Sequence, residues 1–167
     1  MKHFFSSLVL SLSLLGFMEH TLAVELNQNA PAFEVPAWKG EPIKLNEYQG
    51  KVVLLDFWAS WCGPCRQSLP LFNQLYNELK EKSFVVLAIN IDENKEDALS
   101  FLKEVPLDFP VGFDAAGKIP ELFQMKGMPT SYILSKSGKV VKITEGFTPS
   151  EMMHIKKEVI KQINASE

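Results

Sequence analysis

Cysteine is nearly absent. The 167-residue chain has two, Cys62 and Cys65, with two residues between them. So few thiols exclude a disulfide-braced scaffold, which needs several cystines to replace a core. A structural zinc site is equally short of donors. Tetrahedral zinc takes four Cys or His ligands, and after residue 23 the only histidine is His154. Excess charge of one sign is missing too: 17 Lys and Arg stand against 20 Asp and Glu, a net charge of −3. No basic patch is present for a nucleic-acid backbone, so nucleic acid is not an expected partner. There is no internal repeat, no low-complexity segment and no glycine-rich phosphate loop. The one long apolar run, Phe4 to Met18, is too short to cross a bilayer comfortably. What is there is length for one domain and enough apolar content for a real core.

The start of the chain is set apart from the rest. Lys2 and His3 precede the apolar run, which is broken only by serines and Gly16. Thr21-Leu22-Ala23 ends it on a small residue. This is the pattern of a secretory signal peptide over 1–23, cleaved after Ala23, which leaves 24–167 as a single domain. An uncleaved N-terminal membrane anchor is the alternative. No cysteine follows the leader, which excludes a bacterial lipoprotein. Export places both thiols outside the cytosol, where disulfides persist. With both cysteines in one motif, disulfides are the substrate and not the scaffold.

Trp61-Cys62-Gly63-Pro64-Cys65 directly follows the apolar run Lys51–Phe57. Two intervening residues let the sulfurs close a small ring. If Cys65 lies in the first turn of a helix, Cys62 falls at the helix N-terminus, where free N–H groups and the helix dipole favour a thiolate. Cys62 is therefore the expected attacking sulfur. Cys65, one turn in, is the expected resolving one. Pro64 suits a first turn, which does not need its N–H, and Gly63 leaves the approach open. A purely structural disulfide and half of a metal site share the spacing, and the flanking Trp61 and Gly63-Pro64 favour the redox reading.

The surrounding pattern is α/β. Val52–Phe57 and Phe84–Ile91 read as strands buried on both faces. A helix is expected over Cys65–Glu81, with Leu69, Phe72, Leu75, Tyr76 and Leu79 on one face and a kink at Pro70. A hairpin is expected around Lys39-Gly40-Glu41. A helix with Ala98, Leu99 and Leu102 inward, a short strand near Val105–Phe113 and a brief helix over Lys118–Gln124 follow. The charges over 92–104 read as a solvated face. Ser137-Gly138 links two antiparallel strands. Thr148-Pro149-Ser150-Glu151 reads as a capping box for a last helix with Met152, Ile155, Val159 and Ile163 inward. Trp38 reads as packing.

Phe57-Trp-Ala-Ser-Trp-Cys-Gly-Pro-Cys65 resembles the active-site segment of the thioredoxin superfamily. Pro70 matches that family's helix-kinking proline, and Met128-Pro129-Thr130 resembles its cis-proline motif. The N-terminal extension and the segment inserted before Pro129 are similar to the TlpA/ResA/CcmG-like branch of exported bacterial thiol–disulfide oxidoreductases. The resemblance implies a thioredoxin-like α/β fold: a mixed central β-sheet with helices on both faces, an N-terminal hairpin and a central βα insertion. It implies that Asp56 exchanges a proton with the resolving cysteine. Thioredoxins carry a lysine near this acid, at the position of Ala88, so desolvation should raise Asp56 further here. Many relatives in the branch carry a glutamate where this chain has Ser68, which leaves the acid role to Asp56 alone. Met128, Pro129 and Thr130 are implied to meet substrate, with strand-like pairing to the backbone before the proline. No cofactor is implied beyond the Cys62–Cys65 pair. The implied location is the periplasm or cell envelope. The implied partners are protein thiols and disulfides and a DsbD/CcdA-like membrane electron donor, and a monomer is expected.

Gly63-Pro64 matches the reducing members, so a reductase is favoured over a disulfide-forming oxidase. A peroxiredoxin-type peroxidase needs Pro-x-x-x-Thr-x-x-Cys, and Leu55 and Ala59 occupy the Pro and Thr positions. A copper carrier needs a histidine beside the thiols, and His154 is a poor candidate.

Overall fold

The computed structural model describes residues 24–166. The expected leader over 1–23 lies outside the described residues. The central strand is β3 (Val52–Trp58), every residue of which is buried. It pairs in parallel with β4 (Phe84–Asn90), Val52 opposite Phe84 and Trp58 opposite Asn90. Helix α1 (Gly63–Leu79) makes the crossover between them. β5 (Val111–Phe113) lies parallel beside β4. On the other side β6 (Thr130–Leu134) runs antiparallel to β3, and β7 (Val140–Glu145) antiparallel to β6. The order is β5-β4-β3-β6-β7, the mixed sheet that the resemblance implies.

Side-chain alternation divides the core. Val52, Leu54 and Trp58 face a layer built from α1, α2 (Lys95–Glu104) and α4 (Pro149–Asn164). Val53, Leu55 and Phe57 face α3 (Lys118–Leu122) and the N-terminal hairpin of β1 (Glu34–Val35) with β2 (Ile43–Lys44). With both faces covered, the strands must be apolar throughout.

The N-terminal extension covers both edges of the sheet. Asn27 donates its N–H to the Val140 carbonyl at 2.7 Å, and Val140 donates to Gln28 at 2.9 Å, on the outer side of β7. Trp38 donates to Val111 at 2.7 Å, and Phe113 to Pro36 at 2.9 Å, on the outer side of β5. Open edge groups invite pairing with other chains, and one segment satisfies them at both ends.

Several local expectations are corrected. α1 starts at Gly63, two residues before Cys65, because Cys62 takes the cap. The capping box does not form: the Thr148 hydroxyl pairs with Ser150 Oγ at 2.8 Å, and the Glu151 carboxylate lies 3.9 Å from Lys142 Nζ. Pro149 still opens the helix. In α2 the buried residues are Ala98, Phe101 and Leu102, and Leu99 is only half-buried. Asp92 is buried, not part of a solvated face.

Gly112 is where the hairpin meets β5. A Cβ there would stand 2.5 Å from Val35 Cγ1 and 3.2 Å from Ile89 Cδ1. Gly112→Ala should therefore cost about 1–3 kcal/mol in urea unfolding, the range for overpacking a tight core. Gly127→Ala, with nothing within 4 Å of its added Cβ, should stay within about 0.5 kcal/mol. Equal stability of the two variants would mean that the hairpin is not seated against β5.

Candidate active site

Cys62 and Cys65 form a disulfide with their Cα atoms 5.3 Å apart. The loop Ala59–Trp61 carries the chain from the end of β3 to this point. Cys62 has extended backbone and caps α1, and the Cys65 N–H donates to its Sγ at 3.3 Å. The Arg66 N–H donates to the Cys62 carbonyl at 3.1 Å. The sulfur thus sits where the helix presents unpaired donors and the positive end of its dipole. Pro64 lies in the first turn. Both cysteines are largely buried, Cys65 completely. Trp61 beside them is 70 % exposed, and a Cβ on Gly63 would meet nothing within 4 Å.

Asp56 is fully buried. Alternation along β3 places it between Leu54 and Trp58, on the face that holds Cys65. Ser131 Oγ donates to its Oδ1 at 2.6 Å, and its Oδ2 has no protein partner. The residue opposite on β4 is Ala88, so no cation stands there. Burial raises the carboxyl to a pKa of about 7, against a smaller lowering by the Ser131 hydrogen bond. Ser68 does not supply a second acid function: its buried hydroxyl donates to the Cys65 carbonyl at 3.1 Å.

The Met128–Pro129 peptide is cis. Thr130 pairs with Phe57 across the sheet, so the loop before it lies at the same end of β3 as the dithiol. Met128 packs on the cluster that contains both cysteines. Thr130 Oγ1 donates to Gly127 at 2.7 Å, and Gly146 donates to the Pro129 carbonyl at 2.7 Å, which holds the loop from two sides. His154 lies exposed on α4. Leu55 and Ala59 are buried aliphatic side chains with no hydroxyl to offer a peroxidatic sulfur.

Sequence reading missed the contacts of Ser60. Its N–H and hydroxyl both reach the buried carboxylate of Asp92, and its carbonyl accepts from Arg66. The one available signal was a carboxylate placed directly after the apolar run that ends at Ile91. A groove of about 590 Å³ between Trp38 and Tyr76 shares no lining residue with the dithiol motif.

A cystine at a helix N-terminus, backed by a buried acid on a five-stranded mixed sheet, defines a thiol–disulfide oxidoreductase of thioredoxin-like fold. The chain belongs to the AhpC/TSA family, whose model matches residues 26–143. It is 34% identical over 148 residues to the thiol-disulfide oxidoreductase ResA of Bacillus cereus, covering 89% of this chain and 84% of that one. Against ResA of Bacillus subtilis the identity is 30% over 139 residues, covering 83% and 78%. Among solved structures, a candidate thiol:disulfide interchange protein DsbE from Chlorobium tepidum superposes with a TM-score of 0.83 and 42% identity. That match covers 85% of this chain and all of the other. StoA of Bacillus subtilis gives a TM-score of 0.65 at 27% identity, covering 77% and 97%.

The Asp56 environment fixes a sign for stability. Its carboxyl is raised from 3.8 to about 7 in the fold. Below pH 4 both folded and unfolded chains keep the proton, and Asp56 costs nothing. Between about 4 and 7 only the unfolded chain ionises, so the cost grows with pH, and above 7 it is constant. Asp56→Asn in the oxidised protein should therefore raise stability at pH 8 by up to about 4 kcal/mol more than at pH 4. Urea midpoints at the two pH values check this. A pH-independent difference would show that Asp56 ionises normally.

Proposed function

We propose that this protein reduces disulfides in exported proteins through Cys62 and Cys65. The observation that carries the mechanism is Asp56: a buried acid with no cation beside it, titrating near neutrality on the face that holds Cys65. The Cys62 thiolate attacks one sulfur of a substrate disulfide, forms a mixed disulfide and releases the other sulfur as a thiolate, which takes a proton. Asp56 accepts the Cys65 proton. The Cys65 thiolate then attacks Cys62 Sγ, releases the second substrate sulfur and closes the Cys62–Cys65 bond. Two electrons pass to the substrate, and the pair needs no further cofactor. An acid titrating near the working pH is suited to both accepting and returning that proton.

Met128, Pro129 and Thr130 form the edge against which an extended substrate segment lies, next to exposed Trp61. Gly63-Pro64 supports the reducing direction. The names of the relatives, thiol-disulfide oxidoreductase and thiol:disulfide interchange protein, support the reaction class. The leader pattern over 1–23 supports a mature domain over 24–167 in the periplasm or cell envelope. Among the described residues no helix is long and apolar enough to cross a membrane. A DsbD/CcdA-like membrane protein would return the electrons, and the domain works as a monomer.

The reduction potential of the pair tests the direction. A value near that of thioredoxin, about −270 mV, is expected, and one near that of the strong oxidants, about −120 mV, makes the protein a disulfide donor. Roles within the pair are tested by trapping. Cys65→Ser should accumulate mixed disulfides through Cys62, and accumulation with Cys62→Ser instead reverses attacker and resolver.

A further inference from the structure

The turn that delivers Cys62 is gripped by two opposite charges. Ser60, two residues ahead of the sulfur, donates its N–H to both Asp92 oxygens, at 2.9 and 3.2 Å, and its hydroxyl to Oδ1 at 3.0 Å. Asp92 is 3 % exposed. Asn90 completes its surroundings, donating Nδ2 to Oδ2 at 2.7 Å and accepting the Asp92 N–H at 3.1 Å. From the other side the Arg66 guanidinium donates to the Ser60 carbonyl at 3.4 Å, lies over the Phe101 ring at 4.8 Å and reaches Glu104 at 3.4 Å. Arg66 is four residues after Cys62, in the first turn of α1.

Neutral groups could brace a turn at less cost than a buried carboxylate. Here the charge is placed one short turn from a sulfur whose reactivity depends on charge. A negative neighbour disfavours a thiolate and a positive one favours it. Asp92 also occupies the Ser60 N–H, a donor that is then closed to the sulfur. We infer that Asp92 and Arg66 are positioning residues that act through Ser60: together they hold the Cys62 turn, and their opposed charges set how far its thiolate is stabilised. The disulfide form gains when the thiolate loses, so Asp92 makes the protein more reducing and Arg66 makes it less so.

The test is the equilibrium of the mature protein with glutathione at fixed pH, in which the protein disulfide and two glutathione thiols give the dithiol and one glutathione disulfide. Asp92→Asn should move the constant about tenfold toward the dithiol, equal to about 30 mV. Arg66→Gln should move it about threefold the other way. Ser60→Ala keeps both charges and should stay within about twofold. A folded Asp92→Asn protein with the parent constant overturns the inference, because a brace that steadies the disulfide and dithiol forms equally leaves the potential in place. If Asp92→Asn does not fold, exposed Arg66→Gln carries the test, and an unmoved constant there overturns it equally. A shift in Ser60→Ala as large as that in Asp92→Asn also overturns it, since geometry alone would then explain both. The inference rests on Cys62 being the attacking sulfur. The constant belongs to the pair whichever sulfur attacks, so a flat result leaves that assignment to the trapping experiment.

Discussion

The site depends on a strand with no face toward water. β3 is paired on both sides and covered above and below, so all seven of its residues are buried. Such a strand cannot shift register without moving every core side chain to the wrong layer. That rigidity carries the end of the strand, Trp58, and the loop after it to a fixed place. The helix that follows starts where the loop ends, and Cys62 becomes its cap without any dedicated device. The antiparallel partner β6 then brings the Met128–Pro129 loop to the same end of the sheet. Two pieces far apart in the chain, the dithiol turn and the Met128–Pro129 loop, meet because each is tied to one strand.

The same burial sets how Asp56 titrates. A carboxylate in β3 has lost its water, and one hydroxyl at 2.6 Å offsets only part of that loss. With alanine opposite in place of a cation, the acid stays protonated to near neutrality. The fold thereby accepts a loss of stability at neutral pH for an acid on the face that holds Cys65.

What could be read from the sequence was whatever has a side-chain signature. The continuous apolar run Val52–Phe57 announces a strand buried on both faces, and the single acid within it stands out for that reason. The dithiol and its Gly-Pro are read by spacing. Ala88 was placed beside Asp56 by resemblance, and the register puts it there. Two kinds of feature were not legible. Edge covering by residues 27–30 and 36–38 runs through backbone groups, which every residue carries. The role of Asp92 depends on Ser60, 32 residues earlier, and in sequence Asp92 is only the first of a run of charges. The misread cap at Thr148 is a case of local competition: Ser150 and Lys142 offered the two side chains other partners.

The two buried carboxylates at this end of the sheet have opposite surroundings. Asp56 has one hydrogen-bond donor and an oxygen without a partner. Asp92 gathers donors from Ser60 and Asn90 on both of its oxygens. Donors stabilise the charged form of an acid, and their lack favours the neutral one. The under-bonded acid stands in β3, on the face that holds Cys65. The well-bonded one lies just past β4, where it holds the turn at Ser60. The number of donors each acid meets follows from where its element ends: Asp56 is enclosed within a strand whose backbone donors are already paired across the sheet, whereas Asp92 lies just past the end of β4, where Ser60 of the loop after β3 turns its N–H and hydroxyl toward it and the Asn90 side chain reaches back.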